Sequence, residues 1–267
     1  MTLRRRKCSI FLKITLPFPL DFFILPTSED HRPLNFLDIP NNLTKNPASI
    51  QMRTSSPALE LSEDLAIGYS QPLARASEKI HLSAGTHFLL ARNGRGKTTL
   101  LRTIAESVRP LSGRIRTHGS LRFLPENLRF DDSLRSEDVL NSLIARERRS
   151  AATDLARRSE LDLQKPYGRL STGNRRKLHL LVAEFSIPAD HPALLLLDEP
   201  FSGLDAHARA AFESHWHDES PAILRLVSCH PDYDAMPMAS ALIIRDQNLC
   251  HTTNASQTWS ELKFLLN

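Results

Sequence analysis

Residues 87–98 read His87-Phe-Leu-Leu-Ala-Arg-Asn-Gly-Arg-Gly-Lys-Thr98, and the chain continues Thr99-Leu-Leu-Arg-Thr-Ile-Ala-Glu-Ser-Val108. Phe88, Leu89 and Leu90 form a short apolar run suited to a buried strand. Ala91 to Thr98 then matches the pattern G-x-x-x-x-G-K-[ST], with Ala91 in place of the first glycine. Leu100, Leu101, Ile104, Ala105 and Val108 mark one face of a helix. Strand, glycine-rich loop and helix are the context this pattern requires, and they point to an α/β fold.

The chemistry of such a loop comes from its backbone. Gly94 and Gly96 let the chain curl so that its N–H groups converge on phosphate oxygens. The start of the helix adds orphan N–H donors and a positive dipole end. Lys97 supplies a point charge for the outer phosphates, and the Thr98 hydroxyl is a ligand for Mg²⁺. The stretch Ala91, Arg92, Asn93, Gly94, Arg95, Gly96, Lys97, Thr98 and Thr99 is therefore the candidate cradle for ATP. A glycine turn with a chance lysine is the plainer alternative. Ala91 places a Cβ where the backbone should pass close to the nucleotide, a change expected to be tolerated.

About a hundred residues on, Ala193-Leu-Leu-Leu-Leu-Asp-Glu-Pro-Phe-Ser-Gly-Leu-Asp205 gives four consecutive leucines ending in two acids. The leucines fit a strand buried on both faces. Ligands of open α/β sheets bind at the carboxyl ends of strands, so Asp198 and Glu199 face the phosphates. Asp198 is the candidate Mg²⁺ holder and Glu199 the candidate base that orients or activates water. An acidic pair that merely caps the next helix is the alternative.

At this point the chain resembles the ATP-binding cassette (ABC) family of ATPases, from about Leu61 to Asp246. Its motifs occur in the family's order. Tyr69 is similar to the aromatic that stacks on adenine, although a lone aromatic is more commonly part of a core. Glu126 stands where the family has a glutamine that ligates Mg²⁺. Leu170-Ser-Thr-Gly-Asn-Arg-Arg-Lys177 resembles the family signature, with Thr172 and Asn174 as departures. Ser202-Gly-Leu-Asp205 is similar to the loop that comes after the acidic pair, and His230 is placed like the switch histidine that holds the γ-phosphate. The resemblance implies a P-loop core of ABC type: a mixed sheet with flanking helices, a small antiparallel β subdomain and a short helical subdomain at about 127–175. It also implies that Ser171 and Gly173, ahead of a helix with Leu178, Leu181, Val182 and Phe185 on its apolar face, complete the ATP pocket of a second subunit. The expected catalytic set is Glu199, His230 and Lys97, and the expected Mg²⁺ set is Thr98, Glu126 and Asp198. Glu126 adds negative charge near the triphosphate, so turnover is a weaker expectation than binding.

The implied function is that of an ATP-hydrolysing motor subunit. It would work as a homo- or heterodimer on a separate transmembrane permease, at the cytoplasmic face of the cell membrane. A soluble regulatory switch and a weakly hydrolytic cassette paired with an active one are the alternatives.

Composition agrees with a globular protein: of 267 residues, 41% are hydrophobic and 24% charged. The formal charge of +4 is too small to argue for nucleic acid, and no such partner is expected. Cys8, Cys229 and Cys250 are widely spaced and fit no CxxC site, which suggests a reducing compartment. The basic balance lies mainly in residues 1–51, with seven Lys/Arg, four Asp/Glu, six prolines and no glycine. Lys13, Asp21, Pro17 and Pro19 interrupt the apolar stretch there, and no small-residue cleavage site comes after it. Residues 1–57 are read as an extension without a packed core and 58–267 as the ATPase domain; a start at Met52 or a membrane-touching anchor are alternatives. Arg146, Arg148, Arg149, Arg157 and Arg158, mixed with acids, are read as a solvated helix face. One more strand (Leu242–Arg245) and a terminal helix from Ser256 to Leu266 are expected after His230.

Overall fold

Leu89 and Leu90 are both 0% exposed, so the strand they form, β5 (Gly85–Ala91), carries apolar cover on both faces. The structure is a computed structural model and describes residues 56–187, 191–218, 222–229 and 236–266. The expectations for residues 1–51 and for His230 lie outside the described residues. In chain order the elements are β1 (Ala58–Leu61), β2 (Ala66–Gly68), β3 (Pro72–Ala76), β4 (Ile80–Leu82), β5, α1 (Lys97–Ile104), β6 (Ile115–His118), β7 (Ser120–Leu124), α2 (Ser136–Leu143), α3 (Arg149–Arg158), α4 (Thr172–Phe185), β8 (Ala193–Leu197), α5 (Ala206–Asp218), β9 (Ile223–Ser228), β10 (Ser240–Arg245), β11 (Asn248–Thr253) and α6 (Trp259–Phe264).

These strands make two sheets. A three-stranded antiparallel sheet has the order β4-β1-β6, and an eight-stranded mixed sheet runs β2-β3-β11-β10-β5-β9-β8-β7. From β10 to β7 all neighbours are parallel. Alternate residues of these strands feed two apolar clusters, Leu90, Leu195 and Val227 on one face and Leu89, Leu196 and Leu226 on the other. The fold is thus the α/β P-loop core with a small antiparallel sheet that the sequence implied. Helices α2 and α3 lie in the stretch between β7 and α4 and pack on α4.

Some local expectations are corrected. Helix α1 stops at Ile104, so Val108 is not on its face. Glu106 takes a left-handed φ of 59°, and the amides of Ser107 and Val108 turn back to the Arg102 carbonyl. Helix α4 is buried on every side from Arg176 to Phe185, not on one stripe, because α2 and α3 cover what the sheet leaves open. Two strands, not one, come after His230. β11 was missed because Asn248, His251, Thr252 and Thr253 are polar and only Leu249 is fully buried. It returns from β10 through Asp246 and Gln247, both left-handed at φ 49° and 61° without a glycine to signal the turn. The terminal helix is shorter than expected and starts at a capping box, Thr258 with Glu261. The arginines of the insert are not all solvated: Arg148 donates to the Ile187 carbonyl and lies over the Phe185 ring, and Arg149 donates to the Ile144 and Asn141 carbonyls.

Candidate nucleotide-binding site

β5, β9 and β8 lie side by side and parallel, so their carboxyl ends, and the segments that leave them, share one edge of the sheet. The glycine loop leaves β5, Ser228 ends β9, and Asp198 and Glu199 come directly after β8. The geometry of the site is a consequence of that strand order.

Gly94 and Gly96 have φ of 75° and 107°, the left-handed region open to glycine, and they bend the loop over the start of α1. A Cβ on Gly96 would come within 3.3 Å of Leu73, so the β2–β3 hairpin packs against the loop. Tyr69 comes after β2 in that hairpin and is 59% exposed, free to stack on a ligand. Ala91 is the last residue of β5, paired with Ile244, and has no left-handed backbone. Its Cβ therefore costs no strain, which explains why alanine stands for glycine there. Arg92, Asn93 and Arg95 are exposed on the outer rim, while Thr99 is buried.

The Lys97 side chain is only 6% exposed; Nζ donates to the Ala91 carbonyl at 3.2 Å and to Asn93 Oδ1 at 3.4 Å, and lies 3.6 Å from Glu199 Oε1. Asp198 is buried, and its two oxygens are both engaged. Thr98 Oγ1 donates to Oδ2 at 2.9 Å, and Ser228 Oγ donates to Oδ1 at 2.9 Å. Ser228 Oγ in turn accepts from the Glu199 amide at 2.8 Å. Glu199 itself is left-handed at φ 47°, an uncommon conformation for a residue with a side chain. Asn93, Gly94, Gly96, Lys97, Thr98, Thr99 and Glu199 line a cleft of about 360 Å³.

A triphosphate fits this cleft on the structure's own terms: two left-handed glycines bend the loop over the first turn of α1, whose amides have no acceptor within the helix, and a buried ammonium holds only long contacts. Mg²⁺ fits too. Thr98 and Asp198, joined at 2.9 Å, offer two hard oxygen donors. A site with few protein ligands suits an ion that shares its shell with phosphates and water.

Glu126 is not in this cleft. It is exposed and lines a neighbouring cavity of about 190 Å³ with Arg176, His179 and Ser202. Ser171 is exposed at the N-cap of α4, where its Oγ accepts from the Asn174 amide at 3.2 Å. Gly173 packs against the loop after β8, since a Cβ there would meet the Gly203 carbonyl oxygen at 2.4 Å. Lys177 Nζ reaches Asp205 Oδ2 at 3.1 Å, and Asp205 Oδ1 caps α5 by accepting from the Ala208 amide. The capping bond and then Lys177 hold the Asp205 carboxyl below the usual range. The sequence reading missed Ser228, Arg176 and Lys177. Ser228 carries a signal in hindsight, since it ends the strand that leads to His230. Burial, and then the negative charges of Glu199 and Glu213, push the Cys229 thiol up, which favours the neutral thiol.

The sequence model of a family described as ABC transporter matches residues 79–202. The cytochrome c biogenesis ATP-binding export protein CcmA of Novosphingobium aromaticivorans is 33% identical over 53% of this chain and 70% of its own length. The ABC transporter ATP-binding protein YtrB of Bacillus subtilis is 34% identical over 45% of each chain. A solved ATP-binding subunit of an ABC transporter superimposes with a TM-score of 0.60 at 23% identity, over 78% of this chain and 98% of the other. With its loop, its strand-end acids and these relatives, the chain belongs to the ABC transporter family, among the ATP-binding subunits.

Proposed function

We propose that the chain binds Mg-ATP and hydrolyses it as the motor subunit of a transporter, paired head to tail with a second cassette and acting on a separate membrane permease. The observation that carries this reading is the direct bond of Thr98 to Asp198 beside the approach of Lys97 to Glu199. It joins the phosphate cradle to two carboxylates of different environment, one buried and fully bonded, one partly open.

Their roles derive from that difference. Asp198, locked by Thr98 and Ser228, is suited to hold an ion and not to move a proton. Glu199 lines the cleft with its side chain partly exposed and is suited to orient water and accept its proton. Lys97 and the loop amides hold the outer phosphates, and Tyr69 stacks on the base. Thr98 and Asp198 would hold Mg²⁺, which when bound would neutralise charge on the phosphates. His230 is assigned the γ-phosphate contact by its place after β9, and Glu126 an outer role on the ion. Ser171 and Gly173 serve the nucleotide of the partner cassette.

Among the described residues no helix is long and apolar enough to cross a membrane. The proposed site of action is the inner membrane face, reached through the permease. Steady-state ATPase assays test the reading. Glu199→Gln is expected to lower kcat by about a hundredfold or more while binding persists. Lys97→Ala is expected to weaken ATP binding by about tenfold or more, read by titration calorimetry. Wild-type protein that binds ATP but shows no Glu199-dependent turnover would instead support a weakly hydrolytic cassette, the reading that the acidic Glu126 favours.

A further inference from the structure

Arg176 lies one turn into α4 with 5% of its surface exposed. Its guanidinium donates to four backbone carbonyls. Nη1 reaches Pro125 O and Glu126 O, each at 3.2 Å. Nη2 reaches Glu199 O at 2.8 Å and also Asp198 O. These carbonyls belong to the segments just past β7 and β8, two parallel neighbours whose last paired residues are Leu124 and Leu197. Beyond that pair the ladder continues only through the Asp198 amide to the Leu124 carbonyl. The Glu199 carbonyl also accepts from the Ser202 amide at 3.1 Å, and for the Pro125, Glu126 and Asp198 carbonyls one planar, always charged side chain supplies the N–H groups.

The side chain is costly to bury, and burial pushes its pKa down. Asp198, Glu126 and Glu199 oppose that fall by their negative charge. The Glu199 backbone is held in a left-handed conformation; the Ser228 hydroxyl accepts from its N–H, and Arg176 and the Ser202 amide both donate to its carbonyl. A strained residue needs such over-determination to persist.

We propose that Arg176 is a positioning residue: by gripping the carbonyls of Pro125, Glu126, Asp198 and Glu199 at once, it sets the backbone of Glu199 relative to the signature helix and the Glu126 loop. The inference rests on the reading of Glu199 as the base of ATP hydrolysis and adds the element that aims it. Arg176 directs both of its Nη groups at backbone carbonyls. Its loss should therefore leave ATP affinity intact and misplace the base, and a displacement of about 1 Å costs on the order of a hundredfold in rate. The planar fork is essential, since a lysine ammonium keeps the charge but cannot meet two pairs of carbonyls.

The test uses full-length wild type, Arg176→Gln, Arg176→Lys and Glu199→Gln, with ATP turnover and amide hydrogen exchange read side by side. Both Arg176 variants are expected to lower kcat by about tenfold or more, with KM for ATP changed by less than about twofold. Exchange is expected to quicken together in the peptides spanning 124–128 and 197–202, and to stay unchanged in 91–99. A Lys variant with wild-type kcat, a rise of KM in place of the fall of kcat, or exchange that is unchanged or quickened throughout overturns the proposal. If Arg176→Gln does not fold, Arg176→Lys and the exchange pattern decide alone. The ATPase reading fails separately, when wild type and Glu199→Gln turn over ATP equally; the paired exchange response then still decides whether Arg176 ties the two strand ends.

Discussion

His179 sits in the buried middle of α4, with its ring 5.4 Å from Phe130 and 5.7 Å from Tyr167 between centroids. Its Nε2 lies 2.9 Å from the Tyr167 hydroxyl, and its Nδ1 is buried without a partner. Burial, and then the positive charges of Arg176 and Arg175, push its pKa down to about 3. In the unfolded chain a histidine titrates near about 6.5. Between those values the unfolded state holds a proton that the folded state refuses, so stability is complete above the upper value and falls as the pH drops through the window. The slope from this one group is about 1.4 kcal/mol per pH unit. His179→Gln keeps a polar partner for Tyr167 but does not titrate. The melting temperature of wild type relative to this variant is therefore expected to fall from pH 6.5 to pH 4 and to be flat from pH 7 to pH 8, as differential scanning calorimetry would show.

At the level of elements, the tie between α4, α5 and β9 is ionic. Glu184 of α4 is 0% exposed and Arg225 of β9 is 2% exposed. Arg225 donates Nη2 to Glu184 Oε2 at 2.8 Å and Nε to Oε1 at 3.0 Å. Trp216 of α5 donates Nε1 to Oε1 at 2.7 Å, and His215 Nε2 lies 3.9 Å from Oε2. Such a pair contributes little net stability over apolar residues, but removing one member strands a buried charge. Arg225→Met is expected to cost about 3–5 kcal/mol in urea denaturation. Adding Glu184→Leu to it should restore part of that loss, because the orphaned carboxylate goes with it. A double variant less stable than the single would contradict this account.

One molecule carries one phosphate loop and one exposed Ser171 turn, so a closed site in the proposed pairing needs a second copy or homologue. In Glu199→Gln, where nucleotide is held and not consumed, Mg-ATP is expected to double the mass seen by light scattering. Adding Lys97→Ala should abolish the doubling, since the cradle is lost. A mass that stays at one chain with saturating nucleotide counts against a homodimer. Motion on hydrolysis would then come from loss of γ-phosphate contacts between the copies.

Local features were legible in the residues alone. Gly94, Gly96 and Lys97 declare a phosphate loop because left-handed turns and an adjoining helix are read within a dozen residues, and Leu194–Leu197 declare a strand covered on both faces because no polar residue interrupts them. The meeting of distant groups was left to the packing. Thr98 and Asp198 lie 100 positions apart and touch because β9 inserts between β5 and β8 and brings three strand ends to one edge. The same insertion brings Ser228 to the other oxygen of Asp198, and no periodic pattern marks it, because a serine at a strand end carries none. Val108 and β11 were misread for a related reason: Glu106, Asp246 and Gln247 turn left-handed without glycine, under the pull of hydrogen bonds that form only once the chain is folded. Arg176 stands in the signature-like stretch with no role legible from its neighbours, because its four acceptors are backbone carbonyls, which every residue carries and which only the packing of α4 on the sheet edge selects.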